Sequence, residues 1–234
     1  MSSAFSDVNT YSLDGRIIQV EYAMKACSLG TTTIGVRLAD CVILVSEKKI
    51  VSGLQNPLSI KKHFKIYDRI LAGISGVSGD APTIINKTRK ICLNHEKIFS
   101  EQIDLNKLME DICDLALKFG EDEFSKKIFS RPFGISLLIA SFENEKPVLY
   151  NIDPSGSFLQ YKARAIGSAS EVVENILENE YSNFKDKNQC ISKLLEILKG
   201  VMKEKLTEMN VEVSFVDKDG TVMLSPDQIK AYIK

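Results

Sequence analysis

The run Cys41-Val42-Ile43-Leu44-Val45 constrains the fold more than any other stretch of this chain. Ahead of it, Thr31 to Leu38 is rich in β-branched residues and Ala39-Asp40 reads as a tight turn, so the two segments form a predicted hairpin. A strand points successive side chains to opposite faces. One that is apolar at every position needs cover on both, with helices on one side and another sheet on the other. The run is also the longest uninterrupted apolar stretch in the sequence, about five residues against the roughly twenty that span a bilayer.

The other periodicities fill in the layers around that strand. An amphipathic helix is expected from Gly15 to Leu29, with Asp14 as N-cap, Gly30 as C-cap, and Ile17, Val20, Met24 and Cys27 on its core face. Ile18, Tyr22 and Leu29 spill beyond that stripe, which suits a surface shared with a partner. Strands are expected at Phe64 to Tyr67 and Ile70 to Ile74. Two helices follow, one started by Asp80 and running to Phe99, the other from Leu105 to Phe119, both with stripes at helical spacing. After a charged connector, Glu121 to Arg131, strands return at Ile135 to Phe142, Val148 to Ile152, Phe158 to Tyr161 and Ala163 to Ile166. A second helix pair carries Val172 to Tyr181 and Ile191 to Met202. A strand from Val211 to Val216 and a short helix from Asp227 to Ile233 close the chain.

Strand runs joined by hairpins and alternating with helix pairs imply an α+β protein, a four-layer αββα sandwich with an additional N-terminal helix. No linker rich in Pro, Gly or Ser divides the 234 residues, so one domain over 1–234 is expected: a tail at 1–14, the helix at 15–29 and the sandwich at 31–234.

Charge and cysteine content narrow the function. The 30 Lys+Arg against 31 Asp+Glu lack the basic excess of a nucleic-acid surface, so neither nucleic acid nor membrane is an expected partner. Five cysteines form an odd set with no CxxC pair, which argues against a disulfide framework or a zinc cage and for reduced thiols, three of them on helical apolar faces where a free Cys is a small buried hydrophobe. His63 and His95 stand alone, and no metal or cofactor is expected. The start of the chain, Met1 to Asp7, lacks the basic and apolar regions of a signal peptide, so the expected location is the cytoplasm and nucleus.

Nucleotide, kinase and zinc-protease motifs are missing from the sequence, and a serine elbow at Ser75 or Ser78 fails because Val77 and Asp80 stand where glycine is required. Threonine chemistry remains. Gly30-Thr31-Thr32-Thr33 opening a strand, with Glu47 sixteen residues on and Lys62 beyond, resembles the N-terminal-nucleophile hydrolases of the proteasome β class. There a free α-amine, with pKa near about 8, takes the hydroxyl proton. Within the chain the Thr31 nitrogen is an amide and cannot do so. A self-processing threonine hydrolase with Thr31 as nucleophile is therefore the alternative reading.

Residues 12–23, Ser-Leu-Asp-Gly-Arg-Ile-Ile-Gln-Val-Glu-Tyr-Ala, resemble the signature that opens eukaryotic 20S proteasome α subunits. Ser130 to Gly134, Asp153 to Gly156 and Ala165 to Glu171 resemble the later landmarks of the same family, so the resemblance covers essentially the whole chain. Leu115 to Glu121 brings it nearest to one of the seven α types. The resemblance implies the Ntn-hydrolase fold with the N-terminal helix retained, and a non-catalytic member of the α ring. It implies partnership with other α subunits and with the β subunits, which carry the activity, and a part in ubiquitin-dependent protein degradation. It further implies that Glu21, Gly30, Lys62, Gly76 and Val77 contribute to a pocket for the C-terminal tails of regulatory particles. Gate residues would be Ala4, Phe5, Ser6, Asp7, Leu13 and Tyr22. In an ungapped register Ala4-Phe5-Ser6 replaces the family's Tyr-Asp-Arg and Leu13 replaces its proline, while Tyr22 is kept.

Overall fold

The structure, a computed structural model, describes residues 9–120, 122–123, 126–127 and 129–233. Its elements in chain order are α1 (Ile18–Ser28), β1 (Thr33–Arg37), β2 (Cys41–Glu47), β3 (His63–Tyr67), β4 (Ile70–Gly76), α2 (Ala81–Phe99) and α3 (Leu105–Leu117). A two-residue pair, β5 (Asp122–Glu123) and β6 (Lys126–Lys127), precedes β7 (Ile135–Glu143), β8 (Lys146–Ile152), β9 (Phe158–Tyr161) and β10 (Ala163–Ile166). The chain continues through α4 (Ser170–Glu180), α5 (Lys187–Val201), β11 (Val211–Asp217), β12 (Gly220–Met223) and α6 (Pro226–Lys230).

Two antiparallel five-stranded sheets, ordered β10-β1-β2-β11-β12 and β3-β4-β7-β8-β9, lie face to face. The expected αββα architecture is present, and β2 shows why. Cys41, Ile43 and Val45 pack with Leu177, Leu194 and Leu198 of α4 and α5, whereas Val42 and Leu44 meet Leu71, Leu138 and Leu149 of the second sheet. On the far side of that sheet, Ile74 and Ile139 pack with Ile85, Leu108 and Ile112 of α2 and α3. Each such aliphatic side chain, removed completely from water, stabilises the fold by about 1.5 to 3 kcal/mol.

The structure corrects several expectations. Gly15 has φ +72 and sits in a turn in which its N–H donates to the Ser12 carbonyl, so α1 begins at Ile18 and Asp14 does not cap it. At the other end the C-cap is Leu29 rather than Gly30. The face that α1 buries is shifted: Cys27 is covered as expected, but Ala23 joins it while Met24 is exposed. Small residues win that position because the helix lies close against backbone. The apolar stripe of α2 stops short: Ile98 and Phe99, in its last turn, are exposed. Helix α3 ends at Leu117, and Phe119 instead bridges to Phe129 in the backbone beyond it.

Strand β12 was not expected. It has two intermediate and two exposed residues, so no burial pattern marks it, and it forms by pairing with β11 through the Lys218-Asp219 turn. The last helix is shorter than expected and begins earlier, at Pro226, where Ser225 and Gln228 form a reciprocal capping box. All five cysteines are buried, including the three expected on helical apolar faces, and burial pushes the Cys27, Cys41 and Cys190 thiols up to about 12. No helix among the described residues is long and apolar enough to cross a membrane.

Candidate functional site

Where α1 meets the ends of β4 and β7, four glycines allow backbone to approach backbone. A Cβ on Gly30 would lie 2.2 Å from the Gly76 nitrogen, and one on Gly76 would lie 2.1 Å from the Gly134 carbonyl oxygen. Gly76 and Gly167 also have φ of +115 and +101, which residues with a side chain rarely adopt. Ser75 sits at the centre: its hydroxyl donates to the Thr31 carbonyl at 2.9 Å, with the Cys27 carbonyl at 3.3 Å. The Ser168 N–H donates to the Gly30 carbonyl, which ties the β10–α4 junction to the end of α1.

Val77, half exposed, stands at the outer edge of this junction. Its N–H donates to the Gly134 carbonyl at 2.8 Å and its own carbonyl accepts from the Asp80 N–H at 3.0 Å. Asp80 makes no side-chain bond to the start of α2, contrary to the role expected for it. Its carboxylate accepts from both terminal nitrogens of Arg131, at 2.7 and 2.8 Å, and from the Gly134 N–H at 2.9 Å. Burial would raise the Asp80 pKa, but these three charge-assisted bonds outweigh it and hold the carboxyl below its ordinary value.

Of the five residues assigned to tail docking, Gly30, Gly76 and Val77 come together here. Glu21 does not join them: it is exposed more than two turns back along α1, where it pairs with Arg16 at 3.5 Å. Lys62 adjoins the junction only through its carbonyl, which accepts from the N–H of Ile74, two residues before Gly76, at 3.1 Å. The side chain is not solvated as that of a surface lysine would be. Lys62 is 3 % exposed, next to an exposed Lys61. Burial lowers its pKa to about 8, with Glu47 and Glu212 partly restoring the charge. None of the ion pairs formed within 4 Å among the described residues includes it. The Lys62 N–H donates to Glu212 Oε2 at 2.7 Å, and Lys48, also buried, donates from Nζ to the Pro57 carbonyl.

Of the assigned gate residues, Ala4, Phe5, Ser6 and Asp7 lie outside the described residues. Leu13 and Tyr22 are both exposed, on the turn before α1 and on the helix itself. Thr31 follows the helix without a break, and its neighbour Thr32 accepts the Glu47 N–H through its carbonyl at 2.9 Å. The acid and the threonine segment are therefore adjacent, but the Thr31 nitrogen remains in a peptide bond, so it cannot serve as the base that activates its own hydroxyl.

A buried polar chain crosses from sheet to sheet. Thr33 Oγ1 donates to the Ile74 carbonyl at 2.8 Å, and Ser46 Oγ donates to Thr33 Oγ1 at 2.8 Å. With its proton so placed, Ser46 must accept from His63 Nε2 at 2.7 Å, which leaves Nδ1 to accept from Ser214 Oγ at 2.7 Å. One neutral tautomer thus satisfies every member. Burial, together with the positive charges of Lys62 and Lys48, lowers the His63 pKa to about 3. Sequence reasoning assigned no functional role to Ser46, His63, Ser214, Asp80 or Arg131. The partners that join them to one another and to Thr33 and Gly134 lie 13 to 151 residues away, and no short motif carries such spacing.

Comparison with known proteins identifies the family. Residues 27–216 match the family model described as "Proteasome subunit", and residues 6–26 match the model of the N-terminal signature of A-type proteasome subunits. The chain is 52 % identical over 226 residues to a protein of Encephalitozoon cuniculi described as a probable proteasome alpha type-5 subunit, covering 97 % of each chain. It is 42 % identical over 212 residues to the proteasome alpha type-5 subunit of Dictyostelium discoideum, covering 90 % of this chain and 87 % of the other. A Schizosaccharomyces pombe protein described as a probable proteasome alpha type-5 subunit is 40 % identical over 222 residues, covering 94 % and 90 %.

Proposed function

Because the chain belongs to the proteasome subunit family and is similar throughout to alpha type-5 members, we propose that it is a non-catalytic component of the α ring of a 20S core particle. The observation that carries this reading is the N-terminal signature over residues 6–26, which falls on the segment that a self-processing hydrolase would discard. Family membership implies assembly with other proteasome subunits. In the proposed role the β subunits hydrolyse peptides, residues 1–14 contribute to the gate that controls substrate access, and the particle works in ubiquitin-dependent degradation in the cytoplasm and nucleus.

The test is the mass of the chain released from assembled particles. Residues 1–30 should still be attached, with Met1 or Ser2 at the N-terminus. A mature chain that begins at Thr31 would expose the α-amine that the alternative mechanism requires and would reverse the assignment.

The same reading makes the junction of Gly30, Gly76 and Val77 a docking cleft, this chain's share of the site for the C-terminal tails of regulatory particles. A tail ends in a carboxylate, and Lys62, whose backbone bonds Ile74 two residues before Gly76, carries a buried ammonium that forms no ion pair within 4 Å with a described carboxylate of its own chain. Lys62→Ala should lower the affinity of a single labelled tail peptide by about one to two decades, the equivalent of roughly 1.5 to 3 kcal/mol for a charge-assisted contact. Wild-type affinity should also fall between pH 7 and 9 as the ammonium, with its pKa of about 8, loses its proton. Lys61→Ala serves as the control, and equal affinities in all three particles would remove Lys62 from the site.

A further inference from the structure

We propose that Asp80 and Arg131 form a positioning latch that holds the floor of the tail-docking cleft, an inference that rests on the docking role proposed for that cleft. The geometry is a closed cycle of three bonds. The Asp80 N–H donates to the Val77 carbonyl, the Val77 N–H donates to the Gly134 carbonyl, and the Gly134 N–H donates to the Asp80 carboxylate. Arg131 fastens the cycle from outside with two parallel bonds to the same carboxylate.

Three observations argue that the latch serves the cleft and not only the fold. An aspartate at the residue before a helix ordinarily stabilises that helix by accepting its first N–H groups. Asp80 leaves that bond unmade and commits its carboxylate to residues 51 and 54 positions further along the chain. The second observation is steric. The Gly134 carbonyl occupies the place where a Gly76 side chain would stand, 2.1 Å from it, and a Gly134 Cβ would lie 3.0 Å from Val77 Cγ2. The position of Gly134 therefore sets the position of both Gly76 and Val77. The third is exposure: the Asp80 side chain is 14 % exposed but the Arg131 side chain is 54 % exposed, so the outer half of the latch lies at the surface, where little core packing depends on it.

Without the ion pair, the Asp80 carboxylate loses the anchor that fixes it on the Gly134 N–H, so Val77 is held less firmly against Gly134 even though Phe133 stays in the core and Gly76 stays paired with Ile135. Asp80 and Arg131 act through Gly134 and Val77 and need not touch the tail themselves. Residues that act as one unit give non-additive losses when changed together.

The experiment uses assembled particles carrying Asp80→Asn, Arg131→Gln or both. The probe is a fluorescent peptide copying a regulatory-particle C-terminus, with its C-terminally amidated twin as the control for carboxylate recognition. Each single variant should bind the free-acid peptide about three- to tenfold more weakly, the double variant no more weakly than the worse single, and the amidated peptide should discriminate poorly among them. Arg131→Lys, which keeps the charge but loses the parallel pair of bonds, should recover part of the loss. A purely structural ion pair would lower the thermal midpoint and leave peptide affinity unchanged, and that result overturns the latch. If Asp80→Asn blocks assembly, Arg131→Gln carries the same comparison. Wild type bound, Lys62→Ala weakened and both latch variants at wild-type affinity would remove the latch while sparing the docking site. A wild-type particle that binds neither peptide would remove both.

Discussion

Gly76→Ala is expected to destabilise the chain by roughly 3 to 5 kcal/mol, a large share of the 5 to 15 kcal/mol that holds a typical domain together. Two costs combine. The backbone of Gly76 has φ +115, outside the regions that an L-residue with a Cβ adopts, and holding alanine there costs of order 1 to 3 kcal/mol. The added Cβ would also meet the Gly134 carbonyl oxygen at 2.1 Å and the Cys27 Cα at 3.1 Å. Both neighbours are backbone, so neither can swing aside as a long side chain would, and relief requires α1 or the start of β7 to move. That movement would open the cleft. Gly79 is the control, since its φ is ordinary and a Cβ there meets nothing within 4 Å. Denaturant unfolding of the two purified variants beside wild type should place Gly79→Ala within about 1 kcal/mol of wild type. Equal midpoints for both substitutions would show that the contact relaxes without cost.

Acid should weaken the fold through His63, and the direction follows from its environment. The folded-state pKa of about 3 lies below the ordinary value of 6.5, so the folded protein keeps the ring neutral while the unfolded chain takes up a proton. Stability is therefore full above about pH 6.5 and declines as pH falls through the window from 6.5 toward 3. By linkage the loss approaches roughly 4 kcal/mol at the bottom of that window. The cause is geometric as well as electrostatic. The neutral ring accepts from Ser214 through Nδ1, so a proton there breaks that bond, inside a region that already holds Lys48 and Lys62. Glu212, whose pKa is raised by burial, takes up protons in the folded state and opposes the trend in part. His63→Gln does not titrate and can keep a hydrogen bond to one of the two serines. Its unfolding free energy should start lower at pH 7 and then change less between pH 6.5 and 4 than that of wild type. Parallel profiles for the two proteins would show that His63 carries none of the acid sensitivity.

How much of this was legible in the chain can be judged residue by residue. The apolar run at 41–45 required cover on both faces, and periods of 2 and 3.6 placed the strands and helices around it. That is enough to specify two sheets between two helix layers, because burial of an amphipathic surface has few geometric solutions. The twelve-residue match at 12–23 pointed to the family without any coordinates. Periodicity placed Cys27 correctly on the core face of α1 but put Met24 there too, since it weights large apolar residues, and the closeness of β4 and β7 instead selects the small Ala23. Strand β12 carries no alternation and exists only because β11 offers it partners. The burial of Lys62 could not be read from the pair Lys61-Lys62, which is charged at both positions in sequence and divided between water and interior in the fold. Asp80 looked like a helix cap from its neighbours, but Arg131 and Gly134, 51 and 54 residues away, claim its carboxylate. The sequence by itself determined the layers, the hairpins and the family, because these depend on local period and contiguous motif. Only the tertiary structure decided which polar groups meet in the interior and at the cleft, because hydrogen-bond partners chosen across dozens of residues leave no periodic trace along the chain.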